Sequence, residues 1–208
     1  MASATSLVIR LGGILFTSSQ VWAVIRRFPE SMPFKFITRI IWTPTMMLSS
    51  FNCDPIDDYV ILGSIPRDED DFIHIKKLYG VNNIMTMNED WELAAVGGQS
   101  GIGVGIDRVQ LATPDFNPPS LDVIKRAVDI LHADLGSKNI YYIHCKAGKG
   151  RSAVIVVCYV MYRYYMNVDE AIKFVKRHRP SVSLNEQQID AIQQYYCKVI
   201  TELGKENT

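Results

Sequence analysis

The chain has little of what several large functional classes require. Its 208 residues hold four cysteines (Cys53, Cys145, Cys158, Cys197) and no CxxC pair. That excludes a disulfide-stapled scaffold and a zinc ribbon, and makes a reducing compartment the simplest setting. The four histidines (His74, His132, His144, His178) show no HxH or HExxH spacing, so no protein-ligated metal is expected. Twenty-two basic residues cancel twenty-two acidic ones, and nothing in the overall charge points to nucleic acid. Internal repeats and low-complexity tracts are missing too. From Leu7 to Ile25 the chain is apolar but broken by Arg10, Gly12, Gly13 and Thr17-Ser18-Ser19-Gln20. This stretch only marginally reaches the length of about 20 apolar residues that spans a bilayer, and it offers no clean signal-peptide cleavage site.

What remains is a chain with 48% apolar and 21% charged residues, enough to bury a real core in one domain with a short extension. The charge is uneven. Residues 1–48 carry Arg10, Arg26, Arg27, Lys35 and Arg39 against Glu30 alone, a net +4 that leaves −4 for residues 49–208. Leu7, Leu11, Ile14, Leu15, Ser18, Trp22 and Ile25 fall at helical spacing, so a weakly amphipathic helix is expected over this leader. Basic, Ser/Thr-containing and free of acids before Glu30, it suits a mitochondrial presequence or a membrane-surface anchor. An ordinary helix packed on the domain is the alternative. A second apolar, basic stretch from Phe34 to Leu48 supports surface attachment, or is linker.

Residues 49–208 read as alternating strands and helices. Short strands rich in β-branched and aromatic residues are expected at Tyr59–Leu62, Asn83–Met87, Gly105–Leu111 and Ile140–His144. Ser120 is a fitting N-cap for a helix that buries Leu121, Ile124, Val128, Leu131 and Leu135, with Gly136 as its stop. Asn167-x-x-Glu170 opens a helix that ends before Pro180, and Asn185-x-x-Gln188 opens another running to about Leu203. Between Ser152 and Tyr165 the chain is apolar all round, as in a buried central helix. The fold class is α/β, a mostly parallel central sheet flanked by helices.

One segment concentrates the chemistry: Ile140-Tyr-Tyr-Ile-His144-Cys145-Lys146-Ala147-Gly148-Lys149-Gly150-Arg151-Ser152. It is a strand, a glycine-bearing loop and the start of the buried helix. Loop N–H groups turned inward, with the positive end of the helix dipole, make a phosphate cradle of Lys146, Ala147, Gly148, Lys149, Gly150 and Arg151. A cysteine at such a mouth has its pKa lowered to about 3.5–7.5, which makes Cys145 a thiolate nucleophile. Arg151 can grip two phosphate oxygens, and Ser152 can hydrogen-bond the sulfur and improve it as a leaving group.

This segment resembles the HCxxGxxR(S/T) signature of the cysteine-dependent protein tyrosine phosphatase superfamily, dual-specificity type. The wording HCKAGKGR is similar to that of the tumour-suppressor phosphoinositide 3-phosphatase. A wider resemblance, over roughly residues 58–200, is to the mitochondrial phosphatases that act on phosphatidylglycerophosphate. It rests on Tyr59-Val-Ile-Leu-Gly63-Ser-Ile-Pro66, on Ile84-Met-Thr-Met-Asn88-Glu89, and on a strand leading to an aspartate before HCKAG. The resemblance implies a dual-specificity-phosphatase fold, a phosphocysteine mechanism with no cofactor, a phospholipid substrate at a membrane surface, and a place in cardiolipin biosynthesis at the matrix side of the mitochondrial inner membrane. It also implies a general acid about thirty positions before the cysteine. Asp115, in Leu111-Ala-Thr-Pro-Asp115-Phe-Asn-Pro-Pro119, stands thirty before Cys145 on a loop that follows a strand. Asp107 and Asp122 are its rivals.

His144 is expected to order the loop. Asn88-Glu89-Asp90-Trp91 either shapes the pocket mouth or forms a capped turn with a core tryptophan. Gln187 and Gln188 read more naturally as a solvent-facing helix start than as holders of the hydrolytic water, and Asp68-Glu-Asp-Asp71 as a helix start or solvated face. Phosphoinositides and phosphorylated proteins are the alternative substrates. A pseudophosphatase is disfavoured because nucleophile, arginine, loop glycine and acid occur together. A redox enzyme is disfavoured because no resolving cysteine neighbours Cys145 in sequence, although Cys53 or Cys197 could approach it in space.

Overall fold

The computed structural model describes residues 8–11, 14–17, 50–96 and 105–200, and the chain divides into two units, Met1–Ser50 and Phe51–Thr208. In the first unit the expected helix gives way to a hairpin. Strands β1 (Val8–Leu11) and β2 (Ile14–Thr17) pair antiparallel, Val8 opposite Thr17 and Leu11 opposite Ile14. Gly12-Gly13 would cost an isolated helix about 1 kcal/mol per glycine, which works against the helical reading of this stretch. Phe34 to Leu48 and the remainder of the expected helix lie outside the described residues.

In the second unit five strands lie in the order β3-β4-β7-β5-β6. They are β3 (Cys53–Pro55), β4 (Val60–Gly63), β5 (Asn83–Thr86), β6 (Asp107–Gln110) and β7 (Tyr141–His144). All neighbours are parallel except β3, which runs antiparallel to β4. The central β4 and β7 are buried throughout, as expected of parallel strands covered on both faces. β3 was not expected. Three residues ending in Pro55 fit only a sheet edge, where a missing N–H costs no ladder bond.

Helix α1 (Glu69–Tyr79) packs Phe72 and Ile75 against Ile61, Ile84 and Tyr142 on one face of the sheet. The acidic run opens this helix, with Asp68 as N-cap accepting from the Asp71 N–H. A short helix, α2 (Asp90–Ala95), follows β5. The other face carries α3 (Leu121–Ala133), α4 (Arg151–Tyr164), α5 (Val168–His178) and α6 (Glu186–Tyr195), with α4 in contact with the other three and with β4 and β7. The side chains of α4 from Arg151 to Met161 are all buried. Ser120, Asn167 and Asn185 cap their helices as the sequence indicates, the latter two as full capping boxes. Two endings differ. α3 closes at Asp134, two residues before Gly136, and α6 passes into a π-helical turn, Tyr196–Ile200.

Candidate active site

The carboxyl ends of β4, β5, β6 and β7 deliver four segments to one edge of the sheet, the usual location of sites in open parallel sheets. The segment after β7, residues 145–150, runs into α4 with its carbonyls tied outward. The Lys146 carbonyl accepts from the Ile65 N–H at 3.2 Å, the Lys149 carbonyl from the Ser183 N–H at 3.0 Å, and the Gly150 carbonyl from the Val154 N–H at 2.9 Å. The Ala147 and Gly148 carbonyls accept from Arg179 at 3.1 and 3.0 Å. In a trans peptide the N–H points opposite to the carbonyl, so the N–H groups of residues 147–150 face the interior of the loop. Gly150, the N-cap of α4, makes no side-chain cap bond, which leaves the helix N-terminus directed at the same space.

Cys145 sits at this mouth, 4% exposed, and its Sγ accepts a hydrogen bond from Ser152 Oγ at 3.2 Å. Burial pushes the thiol up, but the charge of Arg151 and the hydrogen bonds from Ser152 outweigh it, and the thiol lies below its ordinary range. Arg151 is itself buried and held from three sides. Its Nη1 and Nη2 donate to the two oxygens of Glu92 at 2.8 and 2.9 Å, and Nη1 also donates to the Thr113 carbonyl at 2.9 Å. Nη2 pairs with Asp115 Oδ1 at 2.8 Å. Burial alone would lower the guanidinium pKa; these carboxylates keep it raised and charged. Burial would likewise raise Glu92, and its two hydrogen bonds from Arg151 hold it below the usual carboxylate range.

Asp115 thus reaches the guanidinium beside Cys145, close enough for its charge to push the thiol up. Its rivals do not. Asp107 lies exposed at the opposite end of β6, and Asp122 is exposed in the first turn of α3. The loop bearing Asp115 is fastened at Phe116, which adopts a left-handed φ of 67° and whose carbonyl accepts from Asn185 Nδ2 at 3.0 Å. The two loop lysines separate. Lys149 is exposed, whereas Lys146 is half-buried; burial pulls Lys146 down to about 8 against the opposing pull of Asp115 and Glu92. His144 is buried, with Nδ1 3.4 Å from the Cys145 carbonyl. Burial, with Arg108 and Arg151 nearby, pulls its pKa to about 3, so the ring is neutral.

Two placements correct the sequence reading, those of Gln188 and Trp91. Gln188 is not solvent-facing: it is 3% exposed, and a Cβ placed on Gly150 would lie 2.8 Å from its Nε2. Gln187 is exposed and lines a groove of about 390 Å³ against Pro118 and Leu121. Trp91 is half-buried rather than core, donating to Glu89 Oε2 at 3.0 Å. The residues that sequence reasoning missed are Glu92 and Arg179. Glu92 does carry a signal, as the third residue of a capping box begun by Glu89, but that motif does not say that its carboxylate turns inward. All four cysteines are free thiols.

A family model for the dual specificity phosphatase catalytic domain matches residues 60–198. The chain belongs to that family. Its catalytic domain is that of a cysteine-dependent phosphatase. Among curated dual specificity phosphatase relatives, phosphatidylglycerophosphate phosphatase PTPMT1 of Arabidopsis thaliana is 34% identical over 144 residues, covering 69% of this chain and 42% of that protein. The chain therefore spans less than half the length of that relative. Phosphatidylglycerophosphate phosphatase PTPMT2 of Arabidopsis thaliana is 31% identical over 167 residues, covering 76% of this chain and 72% of that protein. Phosphatidylglycerophosphatase and protein-tyrosine phosphatase 1 of Homo sapiens is 23% identical over 195 residues, covering 83% and 92%. The crystal structure of PTPMT1 in complex with PI(5)P superposes with a TM-score of 0.67 at 23% identity, covering 73% of this chain and 98% of that one. The mixed sheet flanked by helices is thus a dual-specificity-phosphatase fold.

Proposed function

We propose that this phosphatase hydrolyses phosphatidylglycerophosphate to phosphatidylglycerol at a mitochondrial membrane surface, through a phosphocysteine on Cys145. The observation that carries the chemistry is the convergence of Cys145, Ser152, Arg151 and Asp115 on one loop whose carbonyls all turn away. The Cys145 thiolate attacks phosphorus in line, the bond from phosphorus to the leaving oxygen breaks, and protonated Asp115 gives that oxygen its proton. Arg151 and the loop N–H groups balance charge on the equatorial oxygens. Water then attacks the phosphocysteine, Asp115 takes its proton, and the sulfur leaves as a thiolate held by Ser152. Lys146 and Lys149 are assigned to the head group. The names of the Arabidopsis relatives and the basic, acid-poor leader favour the lipid and the mitochondrion, with the inner membrane facing the matrix as the expected site.

The human relative's name also includes a protein-tyrosine phosphatase, and a structural neighbour was solved with PI(5)P. These are the competing substrates. The full chain is therefore given phosphatidylglycerophosphate, a phosphoinositide panel and phosphotyrosine peptides side by side. We expect the highest kcat/KM on phosphatidylglycerophosphate; a higher value on peptides would overturn the lipid assignment. Cys145→Ser should bind orthophosphate and turn over nothing, and appreciable turnover in that variant would remove the covalent mechanism.

A further inference from the structure

Arg179 is the C-cap of α5 and precedes Pro180, a place where a long cationic side chain ordinarily reaches water. Instead it is 1% exposed. Its Nε donates to the Gly148 carbonyl and its Nη2 to the Ala147 carbonyl. From the other side, Nη1 meets the Asp54 carboxylate at 2.6 Å and Nη2 the side-chain oxygen of Asn52. A buried guanidinium is tolerable only when its donors are satisfied, and here two of its acceptors are backbone atoms of the phosphate loop. Arg151 approaches that loop from the reacting side; Arg179 approaches it from behind.

We infer that Arg179, braced by Asn52 and Asp54, is a positioning residue that draws the Ala147 and Gly148 carbonyls outward and thereby aims the N–H groups of Gly148 and Lys149 at the phosphate. The mechanical link is the planar trans peptide, which turns N–H inward whenever C=O is pulled outward. A carbonyl released from Arg179 could rotate toward the dianion and present a negative end to it. The fit is close on both sides of the loop. Gly148 has a φ of +66°, and a Cβ there would lie 3.0 Å from Arg179 Nη2 and 2.3 Å from the Gly63 carbonyl oxygen. Arg179 touches no substrate in this arrangement. Its effect passes through the loop, so it should act on phosphate affinity and on every substrate alike, whatever the leaving group. The inference rests on residues 145–151 being the phosphate cradle.

The test uses the full chain as Arg179→Lys and Asp54→Asn, each alone and combined with Cys145→Ser. One ammonium cannot span two carbonyls and two side-chain acceptors, and Asp54→Asn leaves Arg179 in place while removing the charge that braces it. Orthophosphate binding to the Cys145→Ser forms, followed by calorimetry at 10 °C, should weaken about tenfold or more with Arg179→Lys. In the active forms kcat/KM should fall about 100-fold, the scale of a misplacement near 1 Å, and equally on p-nitrophenyl phosphate and on an alkyl phosphate. Asp54→Asn should show the same pattern at smaller amplitude. A residue that merely stabilised the fold would lower Tm and leave orthophosphate affinity and kcat/KM of the folded protein unchanged; that result overturns the inference. If Arg179→Lys does not fold, Asp54→Asn decides: a parallel fall in affinity and kcat/KM supports the clamp, and unchanged values overturn it. Failure of Cys145→Ser itself to bind orthophosphate would instead refute the cradle and take the inference with it.

Discussion

At the scale of single residues, the site is a set of charges that hold one another in place, and each has a separable consequence. Asp115→Asn should slow hydrolysis of alkyl phosphates by about 10²–10⁴-fold, the usual size of a lost general acid. The loss should be smaller on p-nitrophenyl phosphate, whose leaving group needs no proton; equal losses in steady-state assays would remove Asp115 from the acid's role. The lysines should part company as their burial does. Lys149→Ala should cost about fivefold in kcat/KM on an anionic lipid, one screened ion pair of about 1 kcal/mol. The contribution of Lys146 should fade as pH rises through about 8, where its ammonium loses its proton, so the wild-type to Lys146→Ala ratio should shrink across that range; a constant ratio would count against a head-group role. His144 bears on stability. Its folded pKa of about 3 is depressed from the ordinary 6.5, so its contribution is complete above pH 6.5, declines as pH falls, and is gone below about 3. Urea unfolding of wild type against His144→Phe should therefore diverge by up to about 1.4 kcal/mol per pH unit within that window, while parallel curves would mean that the folded ring takes up a proton. Cys145, Arg151, Ser152 and Asp115 were legible because their spacing is a signature. Glu92 and Arg179 were not. Glu89, Asp90 and Glu92 share one short capped helix, and only the rotation of that helix decides which carboxylate enters the core. Arg179 closes a basic run, Lys176-Arg177-His178-Arg179, that reads simply as charge favouring a helix C-terminus.

Among the elements, those with strong local chemistry were the ones readable in advance. Ser120, Asn167 and Asn185 each supply a side-chain cap that works before any tertiary contact forms. The four strands expected from β-branched and aromatic residues appeared within two residues of their expected bounds. β3 has only three residues, and in the leader the helical spacing of seven residues masked the strand-forming runs Val8–Leu11 and Ile14–Thr17. Asn185 joins the two levels. Its Oδ1 caps α6 by accepting from the Gln188 N–H, and its Nδ2 donates to the Phe116 carbonyl beside Asp115. Asn185→Asp keeps the cap and deletes the donor. Its thermal midpoint should stay near that of wild type, since aspartate and asparagine cap comparably. Alkyl-phosphate kcat/KM should drop about five- to tenfold, the worth of one hydrogen bond near 1 kcal/mol. An unchanged kcat/KM would show that the acid loop holds its place without α6.

For the whole molecule, the expectation concerns address rather than chemistry. A chain lacking residues 1–48 should hydrolyse small phosphate esters at the wild-type rate yet no longer reach a membrane-bearing compartment, and a fluorescent fusion of residues 1–48 should mark mitochondria. A fusion left diffuse in the cytosol would refute the targeting role and favour protein substrates. No helix among the described residues is long and apolar enough to cross a membrane. The choice of truncation point has a consequence of its own. The family match begins at residue 60, after Asn52 and Asp54, so a fragment cut there keeps every group proposed to touch phosphate and drops both braces of Arg179. Such a fragment would pass an inspection of its motif and still work poorly. On the clamp proposed for Arg179, the shortest faithful enzyme would start upstream of Asn52, and activities measured on anything shorter would describe a slackened loop.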